Sequence, residues 1–390
     1  MSGRLQPVRG TQDLLPAAMR RFRVVADTAR AIAERFGYEE IATPIFEFSE
    51  VFSRPIGETT DIVMKEMYSF ADKGGENLSL RPENTAGVVR AVMTNGLTQS
   101  LPLRLFYQGP MFRYERPQKG RFRQFHQIGV ELIGVKEPQG DVEAIALGAD
   151  ILDALVEYFR EHEKDLSEDS RKRLERNPLR ILDSKDPGDI KLSAMAPRFE
   201  GYLTPASNDF FVQVCEGLDA LGIAYKLNPR LVRGLDYYCH TAFEFTTSEL
   251  GSQGAVLAGG RYDGLMGVMG GPETPGVGWA GGIERLALMI AEPPPPPRPI
   301  ALVPIGAEGE STALKLSQEL RRAGFAVDLA YSGNLQKRMR RADKIKARVA
   351  VILGEDELKR GHAAVRDLDS GEQTEAPLAA LKDRLAKFRV

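Results

Sequence analysis

The sequence predicts an α+β architecture in two parts, an antiparallel sheet flanked by helices followed by a small α/β domain. Three observations carry this expectation. Within residues 1–292 strand-like segments arrive in runs rather than alternating with helices, which favours an antiparallel sheet. Pro293 to Pro297 form five consecutive prolines, followed by Arg298 and Pro299. Proline lacks the amide donor that a helix or inner strand needs, so 293–299 reads as a semi-rigid linker. From 300 to 390 strands and helices alternate, which favours a largely parallel sheet.

The elements follow in order. Pro16 to Phe36 reads as a helix stopped by Gly37. Met64–Phe70, Leu78–Leu80, Leu103–Gln108 and Gln124–Ile133 read as strands, and Val142–Arg160 as a helix. From about 161 to 228 charge rises and glycine is scarce, which predicts a helical insertion; strand and glycine signals return from Leu231 to Gly282. Past the linker, the reading is strand Ile300–Ile305, helix Glu310–Ala323, strand Ala326–Tyr331, basic helix Leu335–Ala347 and strand Arg348–Leu353. Ala313, Leu316, Leu320 and Ala323 share one face of the first of these helices.

Composition narrows the function classes. Two cysteines, Cys215 and Cys239, exclude a disulfide framework and a multi-cysteine zinc site and fit a reducing, cytoplasmic setting. No apolar run approaches a membrane span, and no secretory signal precedes Pro16. A formal net charge of -2 means that any polyanion site must come from local clustering.

Four stretches carry candidate chemistry. Between Gly109 and Glu131, two apolar segments flank a loop with Arg113, Arg116, Lys119, Arg121 and Arg123 against Glu115 alone, a local charge of +4. Arginine forks match phosphate oxygens, so the hairpin suits a triphosphate or an RNA end; a solvated basic loop has the same composition. Leu231–Phe245 places Arg233 and Gly234 before Asp236, Tyr237 and Tyr238. Paired tyrosines suit a flat hydrogen-bonding ligand, or one is core and one surface. Ala258-Gly-Gly-Arg-Tyr-Asp-Gly-Leu265 lacks dinucleotide-binding spacing and alone reads as a turn. Gly276–Leu288 reads as a glycine-rich strand entering a helix with Arg285 near its start, a phosphate-facing end or a tight strand–helix joint.

Together these stretches resemble the histidyl-tRNA synthetases. Ala42-Thr-Pro-Ile-Phe-Glu47 is similar to class II synthetase motif 1, Phe112 through Gln127 to motif 2, and Gly281-Gly-Ile-Glu-Arg285 to motif 3. The Leu231 and Ala258 stretches resemble the two segments peculiar to that family, and Thr11-Gln-Asp, Leu80-Arg-Pro-Glu83 and Asn177–Lys185 also match. The resemblance runs through nearly the whole chain. It implies a class II antiparallel sheet in 1–292 and an anticodon-binding α/β domain in 300–390.

The implied activity joins histidine to the α-phosphate of ATP, with magnesium escorting the nucleotide, and then loads the histidine tRNA. Arg113 falls at the α-phosphate, Arg121 and Arg285 toward the outer phosphates, and Arg233 beside the reacting centre, where it takes over part of a metal ion's work. No metal-ligating residue is implied. Glu83, Gln127 and Glu131 fall at the substrate ammonium and ring, Tyr238 and Tyr262 around the imidazole, and Tyr237 and Thr85 nearby. A pocket that bonds both ring nitrogens rejects apolar isosteres. His126 is expected to bond locally rather than catalyse. The tRNA acceptor end falls to Arg116, Gln118, Lys119 and Arg123. Leu335 to Arg348, with seven cations and one acid for a net +6, suits the phosphate backbone. A homodimer through motif 1 is implied.

The chain departs from the family pattern in two ways. A helix–strand unit expected after Leu147–Tyr158 is missing, and Asn84 and Cys239-His240 replace an expected glycine and asparagine–arginine pair. Two non-enzyme rivals share the fold. One is the regulatory paralogue of ATP phosphoribosyltransferase, which lacks the anticodon domain and degrades the ATP-binding arginines. The other is a dead RNA-binding or signalling module.

Overall fold

The computed structural model describes residues 5–57, 60, 62–117, 120–160, 204–228, 231, 235, 237–247, 254–290 and 293–389, with side chains of 153–160 left aside. It separates into two compact units, Met1–Pro293 and Pro294–Val390.

The first unit is built on a six-stranded sheet: β1 (Glu39–Glu40), β5 (Leu103–Phe112), β6 (Gln124–Ile133), β9 (Gly276–Gly282), β8 (Ala255–Arg261) and β7 (Cys239–Thr246), in that order. Only β1 runs parallel to its neighbour. A separate three-stranded sheet orders β2 (Phe46–Phe48), β4 (Asn77–Leu80) and β3 (Tyr68–Ala71), with α2 (Glu50–Ile56) following β2. Strand alternation divides the large sheet into two faces. Ile128, Val130 and Leu132 of β6 and Val277 and Trp279 of β9 enter a core with α1 (Pro16–Arg35), α4 (Pro138–Arg160) and α6 (Ile283–Met289). Trp279 Nε1 donates to the Ala144 carbonyl at 2.8 Å, which satisfies its only polar atom.

The opposite face carries small residues. Glu131 pairs across to Gly278 and Gly278 to Gly260; Gly129 pairs to Ala280 and Ala280 to Ala258. Side chains lie directly on backbone there. A Cβ on Gly278 would overlap Glu131 Oε2, and one on Gly129 would overlap the Tyr107 ring. This face is covered by α3 (Thr85–Thr94) and the segment Leu265–Met269, with Val88, Val89, Val92, Leu265 and Met266 packed around Tyr107 and Tyr262.

The second unit is a five-stranded sheet, β11 (Val327–Leu329), β10 (Ile300–Pro304), β12 (Val349–Leu353), β13 (His362–Asp367) and β14 (Gln373–Pro377). Helix α7 (Gly306–Arg322) buries Ala313, Leu316 and Leu320 against it, and α8 (Leu335–Lys344) buries Arg338 and Ala342.

Four expectations need correction. The strand placed at Met64–Phe70 begins only at Tyr68, because Ile62–Glu66 forms a π-helical turn that buries Ile62. The C-terminal sheet is mixed rather than largely parallel: β10, β11 and β12 are parallel, but β13 and β14 return antiparallel. The basic helix ends at Lys344, with Lys346 at a positive φ of 53°. Finally, the net charge of +6 overstates what Leu335–Arg348 offers outward. Arg338 is buried on the Pro304 carbonyl and Glu310, Arg341 is held by both Asp328 oxygens, and Arg348 is paired with Asp369. Of the helical insertion, α5 (Pro205–Ala220) is described; 161–203 lie outside the described residues, and with them Asn177–Lys185.

Candidate active site

The site opens where β4 turns into α3. Glu83 sits just before the helix, and its carboxylate accepts the Thr85 N–H at 2.6 Å and the Ala86 N–H at 3.0 Å, satisfying two amides of the first turn. Thr85 also turns its hydroxyl to Glu131 Oε1 at 2.7 Å, and Tyr262 donates to the other Glu131 oxygen at 2.5 Å. One threonine therefore joins both acids. Tyr237 lies 4.8 Å from Tyr238 and 5.9 Å from Tyr262 between ring centroids, which closes the pocket with three aromatic rings.

Glu83, Thr85 and Glu131 are buried. Burial pushes the Glu131 carboxyl up to about 8; the Tyr262 and Thr85 hydroxyls oppose that rise and the charge of Glu83 adds to it. Burial likewise raises Glu83, against the amides of Ala86 and Thr85 and the charge of Arg113. Among the described residues the two carboxylates are fed almost wholly by neutral donors, so the site gains from a cation with several N–H groups.

Gln127 shares the small-residue face of β6, and its buried Oε1 has no partner among the described residues. Two candidate phosphate ligands, Arg113 and Arg121, lie in the loop of the neighbouring β5–β6 hairpin. Arg113 donates Nε to the Pro82 carbonyl at 2.8 Å, beside Glu83, and its guanidinium lies 5.3 Å from the Phe125 ring. Glu115 bridges Arg113 at 3.7 Å and Arg121 at 3.0 Å, so the loop's one acid holds two candidate phosphate ligands together. Arg285 occupies the first turn of α6, with its stem along Gly120 and Gly282. Arg116 is exposed, and Arg123 stacks 3.7 Å from the Tyr114 ring centroid. Arg233, Gln118, Lys119 and Asp236 lie outside the described residues.

Several supporting residues were not singled out from sequence. Tyr107 lies wholly buried beneath the pocket. Arg81 donates to the Pro110 carbonyl and to Thr43 and Asn84, and Thr43 donates to Asn84 at 2.6 Å. Asn84, one of the departures from the family pattern, thus completes a buried network behind Glu83. Arg261, inside the Ala258–Leu265 stretch, bonds Asp141 through Nε at 2.9 Å and Asp263 at 3.0 Å. That stretch therefore splits, with Arg261 fastening the fold and Tyr262 facing the pocket. At the other replaced position, Cys239-His240, Cys239 Sγ accepts the Asp263 N–H at 3.4 Å, and the His240 ring lies 5.1 Å from Phe210. His126 bonds locally, to Glu284.

Comparison with known proteins adds independent weight. A family model described as histidyl-tRNA synthetase matches residues 10–168 and 200–286, and one described as anticodon binding domain matches 300–388. A histidine–tRNA ligase of Rhodospirillum rubrum is 56% identical, covering 98% of this chain and 99% of its own length. One from Gluconacetobacter diazotrophicus is 54% identical, with 98% of each covered. The apo histidyl-tRNA synthetase of S. aureus has a TM-score of 0.77 at 32% identity, covering 97% and 99% of the two chains. A Bacillus halodurans protein described as an ATP phosphoribosyltransferase regulatory subunit/histidyl-tRNA synthetase shares the fold at 22% identity and TM-score 0.62. Matches of high identity that run through the anticodon-binding domain disfavour the regulatory reading. With a pocket of linked acids and tyrosines standing where the matched segments converge, the chain belongs to the histidyl-tRNA synthetase family.

Proposed function

We propose that this chain activates L-histidine with ATP and esterifies it to the 3′ end of the histidine tRNA, with the roles divided among its residues as follows. The carrying observation is the Glu83–Thr85–Glu131–Tyr262 network. Glu83 and Gln127 receive the substrate ammonium, and Glu131 and Tyr262 address the imidazole within the Tyr237–Tyr238 wall. A histidine carboxylate oxygen attacks the α-phosphorus, a new O–P bond forms, and pyrophosphate leaves. The carboxylate is already the nucleophile, so the protein's task is to orient and neutralise phosphates. Arg113 takes the α-phosphate, Arg121 and Arg285 the outer phosphates, and Arg233 the reacting centre. A hydroxyl of the terminal ribose then attacks the acyl carbon and AMP departs.

Magnesium enters with the triphosphate as part of the substrate. Among the described residues no three His, Cys, Asp or Glu side chains group to hold an ion, and the arginines suit direct phosphate contact. The acceptor end of the tRNA meets Arg116, Gln118, Lys119 and Arg123. The second unit takes the anticodon end, through Lys337, Arg340, Lys344 and Lys346, which stay exposed after the paired arginines are set aside. The two-part organisation with a 293–299 linker and a helical insertion fits this division of labour.

The small sheet supports a homodimer. Glu47, Ser69 and Ser79 share its inner face, where Ser79 bonds Ser69 and Ser49 and Glu47 bonds Arg90. The apolar residues face outward: Phe46, Phe48 and Phe70 are 51%, 53% and 45% exposed. A sheet with its polar face inside and aromatics outside expects cover, and a second copy through the motif 1 segment supplies it. A cytoplasmic setting accords with two free cysteines and with the lack of any described helix long and apolar enough to cross a membrane.

The deciding experiment is ATP–pyrophosphate exchange with histidine and with every other amino acid. Exchange with histidine alone is expected; folded protein without exchange overturns the reading. Arg233→Ala is expected to suppress exchange by about a hundredfold or more with the melting temperature unchanged, in line with removal of a group that acts on the transition state.

A further inference from the structure

Glu284 is the acid of the Gly-Ile-Glu-Arg turn, and the reading above gives it no task. It lies in the first turn of α6, one residue before Arg285. Its side chain is 8% exposed and turned onto the start of β6. The His126 backbone N–H reaches its two oxygens at 3.0 and 2.9 Å, and His126 Nδ1 lies 2.7 Å from Oε1. Phe22 of α1 meets the imidazole edge-on, with centroids 4.8 Å apart and planes at 87°, which fixes the ring. The Arg285 stem takes another course, along Gly282 and Gly120.

A carboxylate next in sequence to a phosphate-binding arginine is a hazard. Turned to the same side, it would neutralise the guanidinium and repel the triphosphate. We infer that His126 and Glu284 form a latch that holds this negative charge away from the triphosphate and so leaves the phosphate side to Arg285. Both are positioning residues. The inference rests on the proposed role of Arg285.

The test separates charge from shape. Glu284→Asp keeps the charge but shortens the arm that reaches His126. Glu284→Ala removes both charge and latch. In pyrophosphate exchange, Glu284→Asp is expected to raise the KM for ATP about tenfold. Glu284→Ala should raise it less than about threefold, and the KM for histidine should stay within about twofold in both. The Glu284→Asp defect should shrink in added salt. A structural role for Glu284 predicts the reverse order, so an alanine variant as impaired as the aspartate variant, or no change in either, overturns the latch. If Glu284→Asp does not fold by thermal melting, His126→Ala is compared with His126→Ala/Glu284→Gln. The latch predicts that the double variant recovers ATP affinity, and a double variant no better than the single one overturns it. Failure of wild-type exchange, or an unchanged ATP KM in Arg285→Ala, counts against the underlying assignment instead.

Discussion

Two buried carboxylates in the first unit meet opposite fates. Asp141, in the first turn of α4, lies with Arg261 where neither side chain is exposed, and the arginine bonds it directly while also reaching the Val135 and Glu137 carbonyls. Its cation is built into the fold. Glu131, equally buried, receives among the described residues the hydroxyls of Thr85 and Tyr262 and no cation, and a second acid stands close by in Glu83. A buried charge compensated from within holds structure together, whereas one offered only neutral donors is completed by what binds. The histidine ammonium and ring N–H are groups of that kind.

The largest effect is expected where the fold supplies the cation. Asp141→Ala leaves the buried Arg261 to the partly exposed Asp263 and two backbone carbonyls, and breaking a buried pair of this kind costs about 3–5 kcal/mol. Denaturant unfolding should show that loss. A change below about 1 kcal/mol would mean that the Asp263 contact suffices for Arg261 and would break the contrast.

Glu131→Gln should behave in the opposite way. It removes a carboxylate that has no cation partner among the described residues, so the melting temperature should hold or rise. The catalytic cost is expected to be about a hundredfold in kcat/KM for histidine, the size of a lost buried charged hydrogen bond. The sign with pH follows from the raised carboxyl. In the folded chain Glu131 keeps its proton up to about 8, while the unfolded chain loses it near the ordinary carboxylate value. Its contribution to stability is therefore fully present at low pH and is lost as pH rises toward 8. As the proton leaves, the pocket becomes a stronger acceptor. The kcat/KM for histidine should rise to a plateau above that point, and the Glu131→Gln profile should lack the step.

Tyr262→Phe removes one donor and leaves the ring. About tenfold in the KM for histidine is expected, with the KM for ATP unchanged, as befits one buried hydrogen bond of about 1.4 kcal/mol. Equal effects on both substrates would move Tyr262 from ligand recognition to general packing.

The contrast also explains what was legible in the sequence. Strand β6 runs from Gln124 to Ile133, the span its alternation predicts, because Ile128, Val130 and Leu132 alternate with Gln127, Gly129 and Glu131 across a two-faced sheet. Glycines such as Gly129 and Gly278 read only as turn or packing signals. Their task is to make room for Tyr107 and Glu131, and that requirement comes from neighbours far along the chain. Arg261 and Tyr262 are adjacent in sequence yet face a structural pair and a pocket respectively, a division that only strand register reveals. The π-helical turn at Ile62–Glu66 hid behind an apolar run that suits a strand equally well. Strands β13 and β14 fell past the last segment assigned from periodicity. On the basic helix, composition counts cations but not their partners, so Arg338, Arg341 and Arg348 looked available until Glu310, Asp328 and Asp369 were placed beside them.

That last correction sets the smallest expected effect. Lys337 lies on the exposed side of α8, with its backbone N–H held by the Asn334 cap at 3.0 Å. If it meets a tRNA phosphate, Lys337→Ala should weaken tRNA binding only about two- to threefold near physiological salt, because a single solvated contact is screened. It should also reduce the slope of log affinity against log salt by about one. Arg341→Ala tests the same surface from the other side. Its guanidinium is already bound by both Asp328 oxygens at 2.9 and 2.7 Å, so its loss should leave the salt slope unchanged. If instead Arg341→Ala lowers the slope as much as Lys337→Ala, the paired arginine is exchanging Asp328 for phosphate. The rule drawn from Asp141 and Glu131 would then hold in the buried pocket but fail on this exposed helix, where water screens the pair and a competing anion replaces the aspartate at little cost.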